Sequence, residues 1–103
     1  MTKPIQKPIA KKPRIAVLEA AADLTGVRRN AIYGEPVVNF SCAADLKNIY
    51  RQYAGNKYSP AHDAAIDEVL LKLARIATGQ PHVDNYIDGA AYFAIAHECQ
   101  ELS

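Results

Sequence analysis

The sequence predicts an all-α protein: a small bundle of about four helices, with a C-terminal antiparallel helical hairpin and a disordered basic N-terminal arm. Three observations predict it. Apolar residues recur at three- and four-residue spacing through most of the chain. Proline, glycine and polar residues punctuate them near 34–36, 55–60 and 79–82 as helix stops and starts. The only β-rich stretch is the brief Val37-Val38 pair.

Each element follows in order. Residues 1–13 interleave Pro4, Pro8 and Pro13 with Lys3, Lys7, Lys11 and Lys12, with Arg14 next. Such a segment repels itself and cannot build a regular ladder, so a mobile arm is expected. The helical domain then spans 14–103. Helix one starts at Arg14, with Ile15, Leu18 and Ala22 at helical spacing, and Thr25-Gly26 stops it. A polar joint with Arg28, Arg29, Asn30, Tyr33 and Gly34 leads to Pro36, a residue suited to a first helical turn. Helix two runs from about Pro36 to Tyr53, with Val38, Cys42, Leu46, Ile49, Tyr50 and Tyr53 as its expected apolar stripe, and Gly55-Asn56 stops it. Ser59-Pro60 is a cap followed by a first-turn proline, and Asp63 suits the positive end of the helix dipole. Helix three continues to about Thr78 on a stripe of Ile66, Val69, Leu70, Leu73, Ile76 and Ala77. Gly79 and Pro81 end it. Helix four runs from His82–Asp84 to about Glu101; its small residues Gly89, Ala90, Ala91, Ala94 and Ala96 allow close approach, which predicts a central place in the packing.

Composition narrows the function classes. With 103 residues, half of them apolar, the chain has room for one core. A net charge of +1 gives no overall bias towards nucleic acid, so any electrostatic argument is local. Cys42 and Cys99 lie in helical segments without CxxC or Cys/His spacing, which predicts reduced, buried thiols and neither zinc nor a disulfide. No apolar run reaches the about 20 residues of a membrane span, and the Lys/Pro-rich start lacks a signal's apolar core. The expected location is the cytoplasm, without membrane contact.

Two clusters can carry chemistry. At the corner between helices three and four, Lys72, Arg75, His82, Asp84, Asn85 and Asp88 flank a tight Gly79-Gln80-Pro81 reversal. The short turn makes the helices antiparallel, while Lys72 with Arg75 and Asp84 with Asp88 are helical neighbours. Lys72 falls beside Val69 and Ile76 at the rim of the apolar stripe, where a lysine needs a partner. The residues leave two readings open. Either ion pairs clamp the hairpin, or the cations contact phosphate or carboxylate while the aspartates hold Mg²⁺ or accept from ligand hydroxyls. The second cluster is Arg28, Arg29, Tyr33, Gly34 and Asn39. Guanidinium groups bind phosphate in a fork and tyrosine offers a π face, but the same residues equally describe a packed loop. His62 and His97 show no ligand spacing and are read as surface or capping groups, and no Walker loop, dinucleotide fingerprint or nucleophile elbow occurs. The basic arm either contacts nucleic-acid phosphate or an acidic partner, salt-sensitively, or only solvates the terminus.

Taken together, Arg29, Tyr33-Gly34-Glu35-Pro36, Asn39-Phe40, Lys72-Leu73-Ala74-Arg75, His82-Val83-Asp84, Asp88 and Tyr92 resemble a group of small phage and prophage proteins of unassigned function. Their pattern is R...YG.P..NF, then K..R, then H.D...D..GY, and the likeness covers most of residues 15–99. More distantly, the chain is similar to all-α nucleoside triphosphate pyrophosphatases of the MazG type and to phage nucleotide-modification-associated domains. In the pyrophosphatases, ExxE and ExxD patterns hold Mg²⁺. This chain departs from them: helix three offers Asp63, Asp67 and Glu68 without ExxE, and Gly89 stands two residues further from Tyr92 than the pattern's adjacent pair.

Three functional expectations follow. The first is an accessory protein that binds a nucleotide or similar phosphorylated small molecule and sequesters a host signalling nucleotide, with no cofactor required. In it Arg28, Arg29, Lys72 and Arg75 meet phosphate, Tyr33 stacks or hydrogen-bonds, and Asn39, His82, Asp84, Asn85 and Asp88 complete the site. The second is a Mg²⁺-dependent pyrophosphohydrolase with Asp84, Asp88 and Glu68 as metal ligands. The third is an adaptor using the arm and a helical face. Ala-rich faces and exposed tyrosines point to a homo-oligomer.

Overall fold

The computed structural model describes residues 12–26, 30–32 and 34–103. The arm up to Lys11, and Arg28, Arg29 and Tyr33, lie outside these residues. Helix α1 spans Pro13–Leu24, α2 Pro36–Ala54, α3 Pro60–Thr78 and α4 Val83–Glu101, and residues 30–32 are helical as well. Among the described residues there is no strand. The fold is therefore all-α, with α3 and α4 forming the C-terminal antiparallel hairpin.

Local chemistry explains the ends. Proline opens α1, α2 and α3, where its missing N–H has no helical acceptor to lose. The hydroxyl of Ser59 accepts from His62 N at 3.2 Å, and the ring of His82 accepts from Asp84 N at 3.2 Å, so both later helices start on a side-chain cap. Gly55 and Gly79 follow the last residues of α2 and α3, each sending its N–H back to a carbonyl of the final turn.

Packing departs from the sequence expectation in two places. The central helix is α3, not α4: α2 and α4 both pack against α3. The reason lies in what α4 buries, which is Asn85 and Ala96, while its bulky Tyr86, Ile87 and Phe93 stay exposed. On α2, the buried residues are Asn39 and Ala43, with Leu46 and Tyr50 half-buried, so the seam lies to one side of the expected stripe. Val38, Ile49 and Tyr53 are 52%, 55% and 86% exposed. Small side chains occupy the seams because they let helix backbones approach. The buried apolar set is accordingly Ala43, Ala65, Ile66, Val69, Ala74 and Ala96, with Tyr50 and Leu70 packed at its edge. Helix α1 buries none of its residues. No helix among the described residues is long and apolar enough to cross a membrane.

Candidate functional site

The register of the three packed helices follows from a few bonds. Tyr50 donates to Asp63 Oδ1 at 2.7 Å and Arg51 to Asp67 Oδ2 at 2.9 Å, joining the end of α2 to the start of α3. At the other end, Gln80 N donates to the Ile32 carbonyl at 2.9 Å. Gly34 there presses onto the last turn of α3: it has φ +81°, and a Cβ would lie 2.7 Å from the Thr78 carbonyl oxygen. A side chain at that position meets both a clash and a left-handed backbone, so only glycine lets the joint seat on α3. Between α3 and α4, Ser59 N donates to Gln100 Oε1 at 2.8 Å, and Lys72 Nζ lies 3.7 Å from Asp88 Oδ2.

Counting along the helices from these pairs brings Asn39 of α2 and Asn85 of α4 within about one turn of the level of Arg75 on α3. The coincidence is informative. Asn39 and Asn85, 0% and 3% exposed, are the buried polar residues among those described, and both sit at this one level with the half-buried arginine between them. Among the described residues, the side-chain Oδ1 and Nδ2 of Asn39 have no hydrogen-bond partner, and neither has Oδ1 of Asn30 in the adjoining joint. Leaving a buried amide atom unpaired costs about 1–3 kcal/mol, and native chains keep such groups rarely. The Nδ2 of Asn30 makes long contacts, 3.4 Å, to the Glu35 carboxylate. The Thr78 hydroxyl is occupied, donating to the Ala74 carbonyl at 2.8 Å.

The corner expected to form one convergent pocket is divided. Lys72, with 11% of its side chain exposed, is paired with Asp88, which is 50% exposed. His82 serves as the α4 cap and lies 3.7 Å from Asp84 Oδ2. Asp84 is exposed, and Asn85 is buried. Among the described residues no three His, Cys, Asp or Glu side chains gather as metal ligands, so Glu68, Asp84 and Asp88 do not form such a group. Cys42 and Cys99 are half-buried and unbridged.

A protein-family model matches residues 16–100, a span that includes all of α2 and α3 and all but the last residue of α4. The chain belongs to the family described as "Domain of unknown function (DUF6378)". No curated protein and no solved structure matches it.

In this DUF6378 chain, two features escape the sequence reading. Asn30 joins the polar level only because the Gly34 contact and the Ile32–Gln80 bond fix its segment against α3. The second feature lies at the opposite end of α3, where Tyr50, His62 and Asp63 form a linked group. His62 Nδ1 is 3.0 Å from Asp63 Oδ1, and the His62 ring stacks on Tyr58 at 4.3 Å. Burial, and then the hydrogen bond to Asp63, push the Tyr50 phenol up from 10.0 to about 12. Burial works against ionisation of Asp63, but hydrogen bonds from Tyr50 and His62, with Arg51 nearby, hold its carboxyl below the usual range. Every polar atom named in that group has its partner, which marks it as a brace between α2 and α3. The signal for it was the Tyr50–Asp63 spacing across the turn, which no local pattern distinguishes.

Proposed function

We propose that this chain is a binding protein for a nucleotide or another phosphorylated small molecule, taken up at the polar level of Asn39, Arg75 and Asn85. The observation that carries the proposal is the Asn39 amide, buried completely and with donor and acceptor both unused among the described residues. An amide in that state is stable in a fold when something else supplies its partners, and a ligand with hydroxyl, imide or phosphate groups supplies both kinds. Arg75 brings a guanidinium, the group best shaped for a phosphate, to the same level. Arg28 and Arg29 adjoin the 30–32 segment in sequence and add two more. The likeness to small phage and prophage proteins supports an accessory role, in which binding withdraws a host signalling nucleotide from use.

Because Asn39 is covered, a ligand has to displace its cover before engaging it, so binding is coupled to local opening. The test is thermal unfolding of the full chain against nucleoside monophosphates, diphosphates and cyclic nucleotides, with inorganic phosphate as control and with and without Mg²⁺. Binding to the native state alone raises the midpoint, by about 2.7 kcal/mol of stability at a ligand concentration 100 times Kd. The expected result is a shift with at least one nucleotide that Asn39→Asp and Arg75→Gln each abolish while the chain stays folded. No shift with any of them, or an undiminished shift in both variants, overturns the proposal. Mg²⁺-dependent pyrophosphate release would replace binding with hydrolysis.

A further inference from the structure

We propose that a second copy of this chain covers the apolar groove between α3 and α4, with α4 crossing the partner's α4 about a two-fold axis near Ala90. The groove encloses about 440 Å³ and is lined on the α3 side by Val69, Leu73 and Ile76, and on the α4 side by Tyr86, Ala90 and Phe93. Leu73, Tyr86 and Phe93 are 46%, 61% and 60% exposed, an uncommon use of the largest apolar side chains in a chain whose buried apolar set is mostly alanine.

Three features of the groove select a second copy as its occupant. Tyr86 and Phe93 are seven residues apart, two helical turns, with the small Gly89 and Ala90 midway between them. That spacing is self-complementary: about an axis at Ala90, the Phe93 of one copy lies alongside the partner's Tyr86, and the small residues let the two backbones cross closely. The groove also carries little charge. Its one charged lining residue, Lys72, is already paired with Asp88, so bringing two identical faces together sets no unpaired like charges against each other. The area is sufficient as well. With Val83 and Ile87 beside the groove, 66% and 59% exposed, the apolar side chains of two copies bury roughly 1,000 Å² in total, the size that separates a specific interface from a chance contact. Leu73 and Arg75 are two residues apart and thus point to nearly opposite sides of α3, while Asn85 of the proposed ligand level also lines the groove, so the two sites adjoin at that residue.

Sedimentation of the full chain tests the assignment. The unmodified protein is expected to have the mass of two chains at about 100 µM, a concentration that detects even micromolar association. Phe93→Asp is expected to have the mass of one chain with unchanged helical circular dichroism, and Val38→Asp, on the exposed side of α2, to keep the mass of two. A single-chain mass for the unmodified protein overturns the proposal, including the case in which α1 of the same chain fills the groove. So does a Phe93→Asp variant that still pairs, or a Val38→Asp variant that does not. Should Phe93→Asp fail to fold, Ala90→Cys decides: oxidation yields a covalent dimer beyond any formed by the unmodified chain, and its absence overturns the axis placed at Ala90.

Discussion

At the scale of single residues, the positions that matter most are those where the chain accepts a local cost. Asn39 is the clearest, and its cost has a measurable sign. Replacing it with leucine, of similar size, removes two unpaired buried atoms, so Asn39→Leu is expected to raise stability to urea by about 1–2 kcal/mol while eliminating any nucleotide-induced shift. Gly34 is the reverse case. Its positive φ and its 2.7 Å approach to Thr78 make Gly34→Ala costly by about 1–3 kcal/mol in the same measurement. The Tyr50–Asp63 pair gives the pH dependence. The depressed Asp63 carboxyl contributes stability that is present above the ordinary aspartate value and lost as pH falls through its lowered one, so Asp63→Asn flattens the acid limb of a stability profile. The raised Tyr50 phenol contributes stability that is present below pH 10.0 and lost as pH rises towards about 12. Tyr50→Phe is expected to cost about 1 kcal/mol at neutral pH and to remove that alkaline loss.

At the scale of elements, the ends of the helices were legible and their buried faces were not. Ser59-Pro60 and Gly79-Gln80-Pro81-His82 name their own boundaries, because capping and proline geometry are local. Ser59→Ala is expected to cost about 1 kcal/mol, read as a lowered urea midpoint, since only the cap hydrogen bond is lost. Lys72 was legible too: its place at the rim of the α3 stripe called for a partner, and Asp88 is there. The buried side of α2 could not be read from hydropathy. Val38, Ile49 and Tyr53 are its most apolar stripe, yet close approach to α3 selects Asn39 and Ala43 instead. The same preference turns Tyr86 and Phe93 of α4 outwards and gives α3 the centre. Of the candidate site, the residue types were legible and the partition was not. Arg75 and Asn39 come from different motifs and reach a similar level only through the antiparallel register, whereas His82 and Asp84, close in sequence, engage each other at the helix start.

At the scale of the whole molecule, a chain with a small, alanine-rich core leaves two features unfinished: an apolar groove on the hairpin and, among the described residues, the unpaired buried amide of Asn39 at a polar level it shares with α3 and α4. The groove predicts association, and with it a melting temperature that rises with protein concentration, because pairing stabilises only the folded chain. The polar level predicts a ligand, and calorimetric titration of nucleotides into the unmodified chain and into Asn39→Leu tests that claim most directly. Saturable heat with the unmodified chain, absent from a leucine variant that is equally or more stable, is the predicted result; no heat in either protein, or the same heat in both, contradicts it.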